Sequence, residues 1–386
     1  MTLSLRAWVS VRFLTFYLSW AVFQSYWGLW LAERGFSFSE IGTAVALSLM
    51  ARTVSVAVIY PALNRYVTLL RLSRIIPWVI TAAAVPYLFV VGFPMLLAVS
   101  ILFGLIYPIM LPLNETVATV AARRGLLLYG PTRALGSAGF MVGTLLAGWL
   151  SSALGPEVLV SALIGSCLLA AVVGVVRLRE AETLSVRGSG ARGFAALFHD
   201  RAFLACLAIA VLVQGSHAAY YSFGAIRAEE IAVPIAVPFL LVLAPLSEFV
   251  LFSLARRRFE RLGYRVLFAL GAVVAAVRWV LLAFAGDAVV FALSQVLHAG
   301  SYATTHLAFT MYVRDRVPAE DQSAAQGLYA SLAMGLGMAV LTFVAGVQIG
   351  IGFETALLAM AVVAVAALLF LPMIRPGEDS STATAA

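Results

Sequence analysis

Apolar runs long enough to cross a bilayer follow one another along almost the whole chain, near 8–31, 39–63, 74–92, 94–122, 126–150, 158–176, 202–226, 233–255, 266–285, 288–313, 323–347 and 353–374. Hydrocarbon offers no partner to a backbone N–H or C=O, so a chain immersed in it must close its hydrogen bonds within helices or closed barrels. Runs of about 20 apolar residues fit the helix and not the shorter barrel strand. The sequence therefore predicts an all-α membrane protein with 12 transmembrane helices. Composition agrees, since only 11% of the residues are charged against about a quarter in soluble domains. The longest stretch outside the runs, 177–201, is too short for a core of its own, which excludes an appended kinase, ATPase or nucleotide-binding module. The first run is too long and too rich in Trp and Tyr for a cleaved signal peptide. Cys167 and Cys206 fall in apolar runs, so no disulfide framework is expected.

All 25 basic residues are Arg. With the N-terminus in the cytoplasm, 20 of them fall on that side, two (Arg34 and Arg227) on the other, and three within the runs. This positive-inside bias predicts that both termini are cytoplasmic. The cluster Arg256–Arg258, with Arg261 and Arg265, reads as a topology signal that meets lipid headgroups, and no nucleic-acid partner is expected. The polar stretch 177–201, which carries Arg187-Gly188-Ser189-Gly190, reads as a cytoplasmic linker between two six-helix bundles, 1–176 and 202–374, with a disordered tail at 375–386. A weak internal repeat supports the division: Gly139–Gly148 aligns with Gly337–Gly346, 198 positions later. Parallel halves of six helices are a transporter pattern.

A charge at the centre of a membrane helix costs roughly 2.5–3.5 kcal/mol even on the lenient insertion scale, so such residues face the bundle interior and carry function. Here they are Arg52, Glu115, Arg133, Glu248 and Arg278, with His217, His298 and His306. Glu115 precedes Arg124 by nine residues and Arg133 follows it by nine. Both therefore sit about 13 Å from the same turn, level on antiparallel helices. They should pair, either as a purely structural ion pair or as a fork that receives a substrate carboxylate. Arg278 and His298 flank the turn at Asp287 at similar depths, while Glu248 lies nearer its own helix end, eight residues before Arg256. Arg52 has no acidic partner evident at its depth. A buried carboxylate whose Arg or His neighbour moves can change protonation, which a proton-coupled carrier needs. His298 and His306 are eight residues apart with Cys only on other helices, so neither metal nor cofactor is expected.

Polar and aromatic residues also gather near one end of the first and seventh runs, as Gln24, Tyr26, Trp27 and Trp30 and as Gln214, His217, Tyr220 and Tyr221. Interfacial belts are one reading. A cavity that stacks on a planar ligand, with Gln24, Tyr26, Gln214, His217 and Tyr221 in its wall, is the other.

At Tyr129-Gly130-Pro131-Thr132-Arg133-Ala134-Leu135-Gly136, at Gln214-Gly215-Ser216-His217, at Val277-Arg278-Trp279 and at Leu297-His298 the chain resembles the major facilitator superfamily. Within it the match is to the phenylpropionate permease group, relatives of the lactose permease. The resemblance covers nearly the whole chain and implies the major facilitator fold. It also implies that Glu115, Arg133 and Glu248 contact substrate, and that Glu248, Arg278 and His298 take part in proton coupling. Lactose permease relatives carry a further Glu three residues beyond the His, where this chain has Ser301. Glu248 or His298 are then the candidates for the proton site. The loop after the second run has Asn64-Arg65 in place of the superfamily's Asp-Arg.

These features point to a secondary transporter of the bacterial inner membrane, working as a monomer by alternating access. It would import a small organic solute with a proton, and three intramembrane Arg against two Glu favour an aromatic or other small carboxylate. A neutral sugar or nucleoside symporter, a drug/proton antiporter and a non-transporting membrane sensor are the rivals. The expected substrate contacts are Glu115, Arg133, Arg52, Gln24, Tyr26, Gln214, His217 and Tyr221. An enzyme is disfavoured, because no Ser–His pair, metal cluster or paired aspartates occur at workable spacing.

Overall fold

The computed structural model describes residues 2–186, 197–255, 258–259, 261–318 and 321–374. The middle of the expected linker, the expected tail at 375–386, and Arg256 and Arg257 of the basic cluster lie outside them. The described chain is helical almost throughout. Its long helices are α1 Leu5–Glu33, α2 Phe38–Tyr66, α3 Leu69–Phe89, α4 Phe93–Arg123, α5 Tyr129–Leu154, α6 Val158–Val175, α7 Arg201–Ile231, α8 Pro234–Ser253 and α9 Tyr264–Ala283. They continue with α10, built in line from Ala288–Val296, Ala299–Ala303 and Thr304–Arg316, then α11 Ala324–Ile349 and α12 Phe353–Met373. All but α1 and α10 are long and apolar enough to cross a membrane by composition. Those two are diluted by Trp, Tyr, Ser, Thr and His, and both carry groups discussed below.

The interior is mostly apolar, but the outer surface is apolar as well and several charged or polar side chains are enclosed. Large apolar side chains such as Phe239, Val362 and Leu369 are exposed, whereas Arg12, Arg278, His217, Gln214 and Gln295 are buried. An apolar outer surface, with charged groups kept inside, is what lipid as a solvent requires.

The chain divides into two compact units, Met1–Gly190 with Val233–Val242, and Ala191–Ala232 with Leu243–Ala386. In the first, strand β1 (Thr2–Leu3) pairs in parallel with β2 (Arg177–Leu178), and Leu69 N donates to Val186 O. Residues 177–186, expected to be part of a linker, are therefore held against this unit. Acidic residues cap helices in both units: Glu40 closes a capping box with Ser37, and Asp200 and Asp287 each accept two backbone N–H groups at the starts of α7 and α10.

The same rim contact occurs once in each unit. Arg34, just after α1, donates from Nη2 to Val90 O at 2.8 Å beyond the end of α3. Arg227, near the end of α7, donates from Nη2 to Ala285 O at 2.7 Å beyond the end of α9.

The turn that sets the level of α4 against α5 is a Schellman cap. Gly125 takes a positive φ of 72°, its N–H reaches Ala122 O at 2.9 Å, and Leu126 N–H reaches Ala121 O at 3.1 Å. Helix α5 then packs along α1 through glycine. A Cβ on Gly139 would lie 2.5 Å from Leu14 O, and one on Gly143 would lie 2.8 Å from Ala21 Cβ. This backbone approach is the use expected of small residues between membrane helices.

Arg12, counted from the sequence with the arginines of one membrane face, is instead 1% exposed. Its Nε and Nη2 donate to Asn114 Oδ1 at 3.0 and 2.7 Å, and its Nη1 donates to Ser73 O at 2.9 Å. The guanidinium lies 4.6 Å over the Trp8 ring. A buried cation is thus met by neutral oxygens and a π face, which ties α1 to α3 and α4.

Two stability outcomes follow. Gly139→Val should force α1 and α5 apart and destabilise by about 1–3 kcal/mol, the usual range for overpacking. A thermal melt of purified protein unchanged from wild type would contradict it. Asn114→Leu should cost about 3–5 kcal/mol by removing the single oxygen that accepts two hydrogen bonds from a buried charge, visible as lost membrane abundance that Asn114→Gln partly restores.

Candidate functional site: two polar clusters

In the first unit the expected partners meet. Arg133 Nε donates to Glu115 Oε1 at 2.7 Å, and the two side chains are 30% and 29% exposed. Two tyrosines join them. The Tyr129 hydroxyl donates to Glu115 Oε2 at 2.5 Å, and the Tyr17 hydroxyl accepts from Arg133 Nη2 at 2.5 Å. The guanidinium also lies over the Tyr17 and Phe13 rings, at 4.7 and 5.4 Å. Gly136, one turn beyond Arg133, makes this possible: a Cβ there would sit 2.7 Å from the Tyr17 ring and 2.9 Å from Arg133 Nη1.

Further along α1, Trp20 is half-buried with the Arg52 guanidinium 4.9 Å over its ring. The indole lies parallel to Tyr107, within 7° at 5.9 Å. Positions 13, 17, 20 and 24 form one stripe of the helix, and Gln24 at its end is half-buried. Tyr26 faces elsewhere. It is 1% exposed, and its hydroxyl donates to Thr144 O at 2.9 Å, which places it in the packing of α1 on α5.

The second unit holds a longer chain of bonds. Arg278, fully buried on α9, donates from Nε to Ser294 O at 2.8 Å and from Nη2 to Gln295 Oε1 at 3.2 Å. Its face is covered by Tyr220 and Trp279 at 4.5 and 4.6 Å. Its Nη1 is 2.6 Å from His298 Nδ1. A guanidinium can only donate, so Nδ1 presents its lone pair and the imidazole hydrogen sits on Nε2. That nitrogen is 2.6 Å from Glu248 Oε1 and 3.5 Å from the Tyr221 hydroxyl. The sequence Arg278, His298, Glu248 is thus a directional hydrogen-bonded chain across α9, α10 and α8. The His298 ring is held by a stack on Tyr302, 5.1 Å away at 17°.

A five-residue π-helical segment, Ala299–Ala303, begins directly after His298, and such wide turns favour functional positions. It contains Ser301, whose Oγ is 3.2 Å from His217 Nε2. His217 Nδ1 faces Val213 O at 2.9 Å. Because a carbonyl only accepts, that nitrogen carries the hydrogen. Gln214 Nε2 donates at 3.1 Å to both Tyr302 O and the Tyr329 hydroxyl, and His306 Nδ1 is 3.0 Å from the same hydroxyl.

The structure therefore brings together Glu115 with Arg133, and Arg278, His298, Glu248 and Tyr221 with the fully buried His217 and Gln214 beside them. Arg52 and Gln24 line the α1 stripe, and Tyr26 stands apart. Sequence reasoning missed Tyr17, Trp20 and Gln295 as members. Gln295 was detectable as a polar residue three positions before His298 and so on its face, and Tyr17 and Trp20 by their spacing from Gln24.

Known proteins place this architecture. Over 381 residues the chain is 27% identical to the "Probable 3-phenylpropionic acid transporter" of Escherichia coli (strain K12), covering 97% of this chain and 100% of that one. Among solved structures, a point mutant of the nucleoside transporter NupG superposes with a TM-score of 0.82 at 16% identity, over 96% of this chain and 100% of that chain. A bacterial homologue of the human lysosomal transporter Spinster gives 0.69 at 13% identity, covering 98% of each. The sequence model of the MFS_1 like family matches residues 7–359. The chain belongs to that family, and it is a multi-pass membrane transporter of the major facilitator type.

Proposed function

We propose that the protein is a proton-coupled symporter of a small aromatic carboxylate, working as a monomer by alternating access in a bacterial inner membrane with both termini in the cytoplasm. The observation that carries the reading is the chain Arg278, His298, Glu248. With Glu248 ionised, its charge is balanced through a neutral imidazole by the Arg278 guanidinium. A proton on Glu248 removes that balance and leaves the buried arginines in excess. An anionic solute restores it, so proton and anion each favour binding of the other, which is the reciprocity that symport needs.

His298 is already engaged at both nitrogens, and a proton at Nδ1 would break its bond with Arg278. Glu248 is therefore the proton carrier in this reading, and His298 and Arg278 hold it. Glu115 with Arg133 supplies the polar contact to the substrate, and Arg52, Gln24, Gln214, His217 and Tyr221 lie along the interior faces that the solute passes. The aromatic acid named for the Escherichia coli relative supports the choice of ligand class. The likeness to the nucleoside transporter, at 16% identity, concerns the fold.

Uptake of 3-phenylpropionate into proteoliposomes with an imposed proton gradient tests the proposal. Accumulation should require the gradient and collapse with a protonophore. Uptake that ignores the protonophore and follows sodium would refute proton coupling. Glu248→Gln should lose gradient-driven accumulation yet keep substrate exchange, which needs no proton release; accumulation at the wild-type level would move the carrier elsewhere. Glu115→Gln and Arg133→Gln should each cut uptake by roughly tenfold or more at normal membrane abundance, because each leaves a charge without its partner. Full uptake by both variants would remove the pair from the substrate path.

A further inference from the structure

A neutral, hydroxyl-bearing solute offers hydrogens and needs an acceptor, whereas a carboxylate offers lone pairs and needs donors. The charged acceptor on the first unit's cluster is Glu115, and the protein already bonds both its oxygens. Oε1 takes Arg133 Nε at 2.7 Å. Any Glu–Arg couple makes a bond of that kind. Oε2 takes the Tyr129 hydroxyl at 2.5 Å, and that second bond is supplied by a residue outside the ion pair.

Tyr129 is the first residue of α5, one turn before Arg133 and so on the same face. The residue is 42% exposed, so the hydroxyl contact more than packing defines its place. Arg133 is engaged differently. Nε and Nη2 have acceptors, while Nη1 lies beside the bare Cα of Gly136, and among the described residues none accepts from it. The charged groups of the pair thus offer an open N–H on Arg133 and a carboxylate whose two oxygens each already hold one hydrogen bond.

We propose that Tyr129 is a specificity-determining residue, covering Glu115 Oε2 so that the cluster takes a carboxylate and rejects the equivalent neutral alcohol. The inference rests on the reading that Glu115 and Arg133 meet the substrate. Removing the hydroxyl uncovers an ionised acceptor, to which a ligand hydroxyl can then donate, while the guanidinium keeps its donors.

The test is calorimetric binding to the purified full-length protein with two probes on one carbon skeleton, 3-phenylpropionate and 3-phenylpropan-1-ol. Wild type should bind the acid at least tenfold more tightly, and Tyr129→Phe should narrow the ratio by roughly tenfold, the effect of one hydrogen bond to a charged group. Tyr129→Met, which also lacks the hydroxyl, should shift the ratio the same way and serves if the Phe variant is not recovered monodisperse. A Tyr129→Phe ratio equal to wild type, with the acid still preferred, overturns the role of Tyr129 and leaves the carboxylate reading standing. A wild type that prefers the alcohol overturns both. A purely structural role for Tyr129 would weaken the two probes by the same factor.

Discussion

An ionised guanidinium inside a membrane protein needs acceptors and a π face, and this requirement organises both units. Arg12, Arg133 and Arg278 meet it in three ways. Arg12 binds the side-chain oxygen of Asn114 and the carbonyl of Ser73 and lies over an indole. Arg133 has a carboxylate and a phenol. Arg278 has a carbonyl, an amide and an imidazole, with aromatic rings on its face. Only the second is a direct ion pair, and it is also the most exposed of the three. Where the carboxylate is one residue removed, as with Arg278 and Glu248, an intervening His lets charge be balanced without contact, and the balance then depends on one hydrogen.

Close backbone approach is the second constraint, and it serves the first. Gly136 and Gly139 bring α5 against α1 closely enough for Arg133 to reach the Tyr17 ring, so the glycines that look like packing in the sequence also shape the polar site. In the second unit the wide turn Ala299–Ala303 gives α10 an irregular register directly after His298. That places Ser301 toward His217 and lets the Tyr302 ring lie flat on the imidazole.

Much of this was legible from residues alone. Apolar runs give helices because lipid leaves the backbone no other choice, and the equal separation of Glu115 and Arg133 from Arg124 gave their pairing. Arg12 was misread, because an arginine near the end of a run looks the same whether it reaches outward to headgroups or inward to Asn114. Tyr129 was hidden because an aromatic hydroxyl at the end of a membrane helix is by default an interfacial residue, and its spacing from Arg133 does not say that its hydroxyl reaches Glu115. The direction of the hydrogen on His298 was equally unreadable, since it follows from Arg278 Nη1 meeting Nδ1 and not Nε2.

The clasps at Arg34 and Arg227 have a consequence of another kind. Their donors are 193 positions apart and the carbonyls they hold, Val90 and Ala285, are 195 apart. A frame copied once and kept at its rim would look like this. The interiors do not match: one copy holds an acid–base couple with phenols, the other a relay with imidazoles. Residues taken from one half are therefore poor guides to their counterparts in the other. Swapping a rim clasp between halves would be a mild change, whereas transplanting a core position would carry chemistry into a setting that never evolved to receive it.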